Sequence, residues 1–192
     1  MEFTKIPTTT METIQLNAGI LVDSFVPSTG VIGNIIGATT GGVSFTDTPA
    51  YSDWGEDIDN CPKNTKELKH IDDRDVKLSG TFVTIDDDLA KTLVAGADVS
   101  SDTVPAILPR DYLTDTDFED IWWVGDYSDK NTGAAKAGFV AIHLINALNT
   151  GGFQLTTGDK AKGQFPFEFT GHYSIADTTI VPYELYVKAG TE

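Results

Sequence analysis

The sequence predicts a mainly β protein: a sandwich or barrel of antiparallel strands with one flanking α-helix and a long loop between strands. Three observations carry that expectation. From Gln164 to Ile175, Phe165, Phe167, Phe169, Tyr173 and Ile175 share one parity while Gln164, Glu168, Thr170, His172 and Ser174 hold the other, the alternation of a half-buried strand. Turn residues at Asn149-Thr150-Gly151-Gly152 and at Gly158-Asp159-Lys160 separate apolar runs, so neighbouring strands are expected to pair antiparallel. Helical spacing behind a capping residue is found at one segment, which begins at Asp86.

Taken in order, Ile14, Leu16, Ala18, Ile20 and Val22 alternate with Thr13, Gln15, Asn17, Leu21 and Asp23, which predicts a first strand. A turn follows at Pro27-Ser28-Thr29-Gly30, and Val31 to Phe45 reads as a second long strand or a pair of strands. Gly33, Gly37 and the Gly41-Gly42 pair interrupt it, where bulges or kinks are expected. Together these segments suggest one long hairpin.

Thr46 to Asn64 breaks every periodicity, with Pro49, Gly55 and Pro62 and the acids Asp53, Glu56, Asp57 and Asp59 around Trp54. That predicts a long loop, and structureless loops beyond about 12 to 15 residues are usually functional or disordered. The apolar Tyr51, Trp54 and Ile58 favour an arm that docks on something. Thr65 to Ile71 and Asp75 to Ile85 read as the next strand pair. Asp86, Asp87 and Asp88 then supply a cap and first-turn negative charge for a short helix, with Leu89, Leu93 and Ala97 at helical spacing before Gly96 weakens its end. The second half predicts strands at Phe118 to Tyr127, Ala137 to Leu148, Phe153 to Thr157, Gln164 to Ile175 and Pro182 to Lys188.

Length and composition bound the rest. The 192 residues, 40% hydrophobic and 10% aromatic, suffice for one domain, 1–192, with a proper core. A formal charge of −16, with a pI near 4.3, argues against tight binding to nucleic acid or anionic membrane, which clustered Lys and Arg would carry. The single Cys61 excludes an intrachain disulfide framework and points to a reducing site of synthesis, a cytoplasm. Met1 to Thr10 lacks the apolar core of a signal peptide, and no apolar run reaches the roughly 18 residues of a membrane span.

Candidate chemistry is sparse. His70, His143 and His172 show no close ligand spacing and no accompanying Cys pair, so a structural role is expected for each. The acids between Asp53 and Asp59 raise calcium as an alternative, but they do not match the spaced Asp loop with its central Gly; the Asp86 triplet is better read as a helix start. No nucleophile elbow occurs, and Cys61 has no histidine nearby in sequence. The glycines between 30 and 42 lack the Lys-Ser or Lys-Thr of a phosphate loop. No catalytic, cofactor-binding or metal-ligating residue is assigned, and the chain is not read as an enzyme.

The strands instead carry apolar residues on both faces. Trp122 and Trp123 are adjacent and so face opposite sides; Val140, Ile142, Leu144 and Leu148 oppose Phe139, Ala141, Ile145 and Ala147. One short helix cannot shield all of this surface. Trp122, Trp123, Phe139 and Ile145 are therefore expected at an interface between sheets of neighbouring subunits, and Tyr51, Asp53, Trp54, Glu56, Asp57, Ile58 and Asp59 in an inter-subunit loop.

The chain resembles the major tail proteins of long-tailed, siphovirus-like bacteriophages, the subunits of the tail tube. The likeness spreads over most of its length: Ile20-Leu21-Val22, the Gly37 to Gly42 segment, Phe45 into the Trp54 to Thr65 loop, Asp117 to Ser128, Ala141-Ile142-His143-Leu144, the Asn149 to Phe153 turn, and Lys162 to Ser174. It rests on extent, since no single motif in it is diagnostic. The resemblance implies a β-sandwich with a flanking helix, six copies in a ring, and rings stacked into a hollow tube for DNA ejection, assembled in the bacterial cytoplasm and residing in the virion. It implies as partners further copies of the chain, with tail tip or baseplate, tape-measure and tail terminator proteins. DNA would pass without specific binding, no membrane would be involved, and the segment 46–64 would correspond to the family's loop reaching neighbouring subunits. The alternatives are a related secretion-system tube subunit, or a virion decoration or carbohydrate-binding β-sandwich.

Overall fold

A computed structural model of the chain describes residues 5–8, 10–127 and 138–190. After one helical turn, α1 (Thr10–Thr13), come β1 (Gln15–Val22), the short β2 (Phe25–Val26) and β3 (Val31–Ile32), and two long strands, β4 (Thr39–Asp53) and β5 (Lys69–Phe82). The helix α2 (Asp87–Val94) precedes β6 (Ala97–Val99) and β7 (Ile107–Pro109), followed by β8 (Glu119–Tyr127), β9 (Phe139–Asn149), β10 (Phe165–Thr170) and β11 (Tyr183–Lys188). The chain is mainly β with one flanking helix, as expected.

The main sheet runs β1-β8-β9-β10-β5-β4, with β11 added on β9, and its pairings are antiparallel. β1 and β5 lie far apart in that order. Yet Leu21 of β1 shares one buried cluster with Val76 and Leu78 of β5, Ile121 of β8, Leu144 of β9 and Phe169 of β10. Strands so distant reach a common core only if the sheet curls on itself. Backbone bonds close the gap: Val22 bridges Ile35, and the Ile36 N–H donates to the Leu21 carbonyl at 3.0 Å.

The bend lies in β9. Phe139 to Leu144 pair with β11 and β8, whereas Leu148 and Asn149 pair with β10. The change of partner falls at Asn146, in the left-handed region at φ +49°, whose N–H donates to Asp120 Oδ1 at 3.1 Å and whose side-chain amide donates to the His172 carbonyl at 3.2 Å. Asn tolerates that conformation better than most residues.

Helix α2 starts as expected, with Asp86 Oδ1 accepting from the Leu89 N–H at 2.9 Å. Leu89 and Leu93 enter the core. Asn149, only 2% exposed, fastens the helix end to the sheet: it donates to the carbonyls of Leu93 (2.6 Å) and Gly152 (3.1 Å) and accepts from the Glu168 N–H (3.0 Å). A buried amide with this many partners is stabilising only while all are kept.

The structure departs from the sequence reading in five places. The hairpin expected around the Pro27 to Gly30 turn is short: Leu21 to Val26 face Val31 to Ile36 through the β2–β3 pair, the Val22–Ile35 bridge and bonds at Asp23, Gly33 and Ile36, while β1 pairs along its length with β8 and the segment from Thr39 joins β5. The segment 46–53 is not loop but the outer half of β4, paired from Thr46↔Lys77 to Asp53↔Lys69. Thr65 to Ile71 and Asp75 to Ile85 are not a strand pair, because Lys69–Phe82 is one continuous strand. Phe153 to Thr157 keeps a single bridge, Thr156↔Gln164. The strand from Gln164 stops at Thr170: the Gly171 N–H turns to the Val76 carbonyl and His172 N–H to the Ile145 carbonyl, which leaves Ile175 99% exposed. The bulges expected at Gly41-Gly42 are present, at φ +76° and +84°, within a register shift between Thr39 and Val43.

Candidate assembly surfaces

The arm expected at 46–64 is a two-stranded ribbon. β4 and β5 run together well beyond the core, and residues 54–65 with the single 3-10 turn Lys66–Leu68 close its end. Among the described residues β4 is the last strand of the sheet, with no strand on its outer edge, where Pro49 is tolerated. Asp53 organises the tip. Its carboxylate accepts from the Gly55 N–H at 3.0 Å and the Asn64 N–H at 2.8 Å, and these bonds hold it below its ordinary titration range. Gly55 sits where a Cβ would come within 2.9 Å of both Cys61 Sγ and a Leu68 methyl, so a larger residue would open the turn.

This closed tip turns its apolar residues outward. Trp54 is 65% exposed, tilted over the His70 ring with centroids 4.9 Å apart, and Tyr51, Ile58 and Ile71 are exposed with it. Lys69 Nζ stands 5.6 Å above the Tyr51 ring. Glu56, Asp57 and Asp59 are exposed on the same turn. The residues named from sequence for the arm are therefore brought together at one end of the molecule.

The four sheet residues are not brought together. Trp122 and Phe139, expected to need cover from a neighbouring subunit, are 8% and 7% exposed, because Phe25 of β2 lies against both within the chain. Trp123 is half-buried against the main core and its indole N–H donates to the Ala18 carbonyl at 3.0 Å. Ile145 lines a small groove with His172, Ala176 and Ile180. Sequence parity placed Trp122 and Trp123 on opposite faces correctly; it could not show that a two-strand hairpin folds back over one of them.

No protein-family model and no curated protein matches the sequence. Residue chemistry and geometry therefore carry the functional argument. Among the described residues no three of His, Cys, Asp and Glu form a group able to hold a metal ion, and no helix is long and apolar enough to cross a membrane. His172 makes a structural contact, its Nδ1 lying 3.0 Å from the Asn146 carbonyl oxygen.

Two surfaces were missed from sequence. Among the described residues β11 pairs with β9 alone, and it exposes Leu185 and Val187. Their alternation with Glu184, Tyr186 and Lys188 was legible, but not that the strand ends the ladder. The second is the cluster around His143, which parity put among apolar neighbours. Its ring lies flat on Trp122, centroids 4.0 Å apart and planes 6° from parallel, between Asp120 and Glu184. Those carboxylates come from strands remote in sequence, so nothing local announced them.

Proposed function

We propose that this chain is a structural virion protein that polymerises as stacked rings, six copies to a ring by its resemblance, into the hollow tail tube of a long-tailed bacteriophage. The observation that carries the reading is the β4–β5 arm, whose tip leaves Trp54, Tyr51 and Ile58 more than half exposed. A projecting ribbon tipped with aromatic residues is a poor free surface and a good docking element. The free edges of β4 and β11 provide further surface for neighbouring copies.

Magnitudes show that a single arm contact is not enough. Burying each of the three tip side chains contributes about 1.5 to 3 kcal/mol. Association opposes this with roughly 4 to 15 kcal/mol of lost translational and rotational freedom. One arm is then marginal, and closing a ring, in which each copy both gives and receives an arm, adds one contact with no further association loss. The −16 charge suits a DNA conduit, since a wall of Asp, Glu, Thr and Ser does not grip phosphate as Lys and Arg would.

The exposed Trp54 face also favours one rival, a carbohydrate-binding sandwich. Sugar titration separates the two: a sugar site would change Trp54 emission and leave the protein unassembled. The direct test is negative-stain microscopy of the concentrated protein with sedimentation across salt. Hollow rods or rings are expected. A chain that stays monomeric at every concentration and ionic strength, with tail-tip partners present, overturns the proposal.

A further inference from the structure

The His143 cluster joins three strands. The ring stands on β9; Nε2 lies 3.2 Å from Asp120 Oδ2 on β8, and Nδ1 lies 3.3 Å from Glu184 Oε2 on β11. The imidazole is only 14% exposed, while Asp120 and Glu184 are half-exposed. Two further bonds hold the carboxylates in place: the Tyr186 hydroxyl donates to Glu184 Oε2 at 2.5 Å, and the Asn146 N–H donates to Asp120 Oδ1 at 3.1 Å. Trp122 covers one ring face, and Val22 and Phe25, from β1 and β2, pack in the apolar cluster that holds Trp122. Lys188, on the same face of β11, lies with Nζ 5.6 Å over the Phe139 ring.

We propose that His143 is a proton-operated clamp that fastens the edge strand β11 to β9 and β8. Charged imidazolium has two N–H groups: Nδ1 donates to Glu184 at 3.3 Å, while Nε2, 3.2 Å from Asp120 but not aligned for a hydrogen bond, attracts that carboxylate by charge. Neutral imidazole has one, and its other nitrogen turns a lone pair towards an anion. As pH rises the proton leaves to solvent, one of the two contacts changes from attraction to repulsion, and β11 is held less firmly. Imidazole is the side chain whose ordinary titration falls between pH 5 and 8. Glu184 stays charged throughout that window, because the Tyr186 hydroxyl first, and then His143, hold it below the usual carboxylate range. β11 is the strand where such a clamp matters, since it hydrogen-bonds to one neighbour only and exposes Leu185 and Val187.

The inference is independent of tube formation and is read on the dispersed, full-length protein. Backbone amide exchange, corrected for its intrinsic pH dependence, is compared at pH 5.5 and pH 8. Protection of the β11 amides is expected to fall by roughly threefold at the higher pH, the scale of a half-exposed ion pair, while β5 amides do not change. In His143→Gln the pH-dependent fall disappears. Should that variant not fold, Glu184→Gln keeps the ring, removes one carboxylate and is expected to shrink the fall. Equal β11 protection at the two pH values in the wild type, or an undiminished fall in either variant, overturns the clamp.

Discussion

The Phe25 ring meets the Trp122 indole edge-on, with centroids 5.6 Å apart and planes at 60°, and meets Phe139 at 4.9 Å and 84°. A residue on a two-residue strand thus seals the face of β8 and β9 that would otherwise need a partner. Phe25→Ala is expected to destabilise the monomer by about 3 kcal/mol and to shift tryptophan emission to the red as Trp122 meets water. Urea unfolding checks the first and fluorescence the second. A loss under about 1 kcal/mol would mean that the hairpin is not the cover.

The proposed docking arm allows folding and assembly to be tested apart. Because 46–53 belongs to β4, removing it would strip the partner of β5 and damage the sheet. Replacing only 55–64 with an Asn-Gly turn leaves the ladder intact. The variant is expected to unfold within about 0.5 kcal/mol of the wild type and to form no tubes, as seen by sedimentation and microscopy. Trp54→Ser with Ile58→Ser should weaken assembly in the same direction. Normal tubes from the turn replacement combined with Tyr51→Ser and Trp54→Ser would remove the arm from the assembly reaction.

Copies carrying −16 each repel one another over distances that salt shortens, to about 8 Å at physiological ionic strength. Apolar contacts between copies are expected to win only when that repulsion is screened. Low salt should favour the dispersed chain and added salt the polymer, followed by light scattering. A polymer that dissolves as salt rises would instead be held by ion pairs.

Asp117 gives the fold a defined acid sensitivity. Its carboxyl is 1% exposed, and burial pushes its titration up, but bonds from the Thr114 N–H (2.7 Å), the Thr114 hydroxyl (2.9 Å) and Arg110 (2.6 Å) outweigh burial and hold it below the ordinary range. A carboxyl so lowered stabilises the fold above its unfolded value, about 3.9, and that stabilisation is lost as pH falls through the lower folded value. Asp117→Asn should therefore lower the urea midpoint at pH 6, and the gap should close on acidification towards pH 3. A gap that is constant with pH would show that the charge is not what counts.

By itself, the sequence determined the β class, the single capped helix at Asp86, the bulge at Gly41-Gly42 and the collection of Tyr51, Trp54 and Ile58 in one projecting segment. Those features depend on neighbours a few residues away, where alternation, caps and turn residues act. Tertiary structure decided the rest. β1 takes β8 as its ladder partner and bonds the following segment only at its end, and in that position Leu21 joins the common core. The polar run Thr46 to Asp53 is a strand because β5 supplies a ladder, not because it has an apolar face. Asp120, His143 and Glu184 meet because three strands align in register, and register follows from which side chains the curled sheet can bury together.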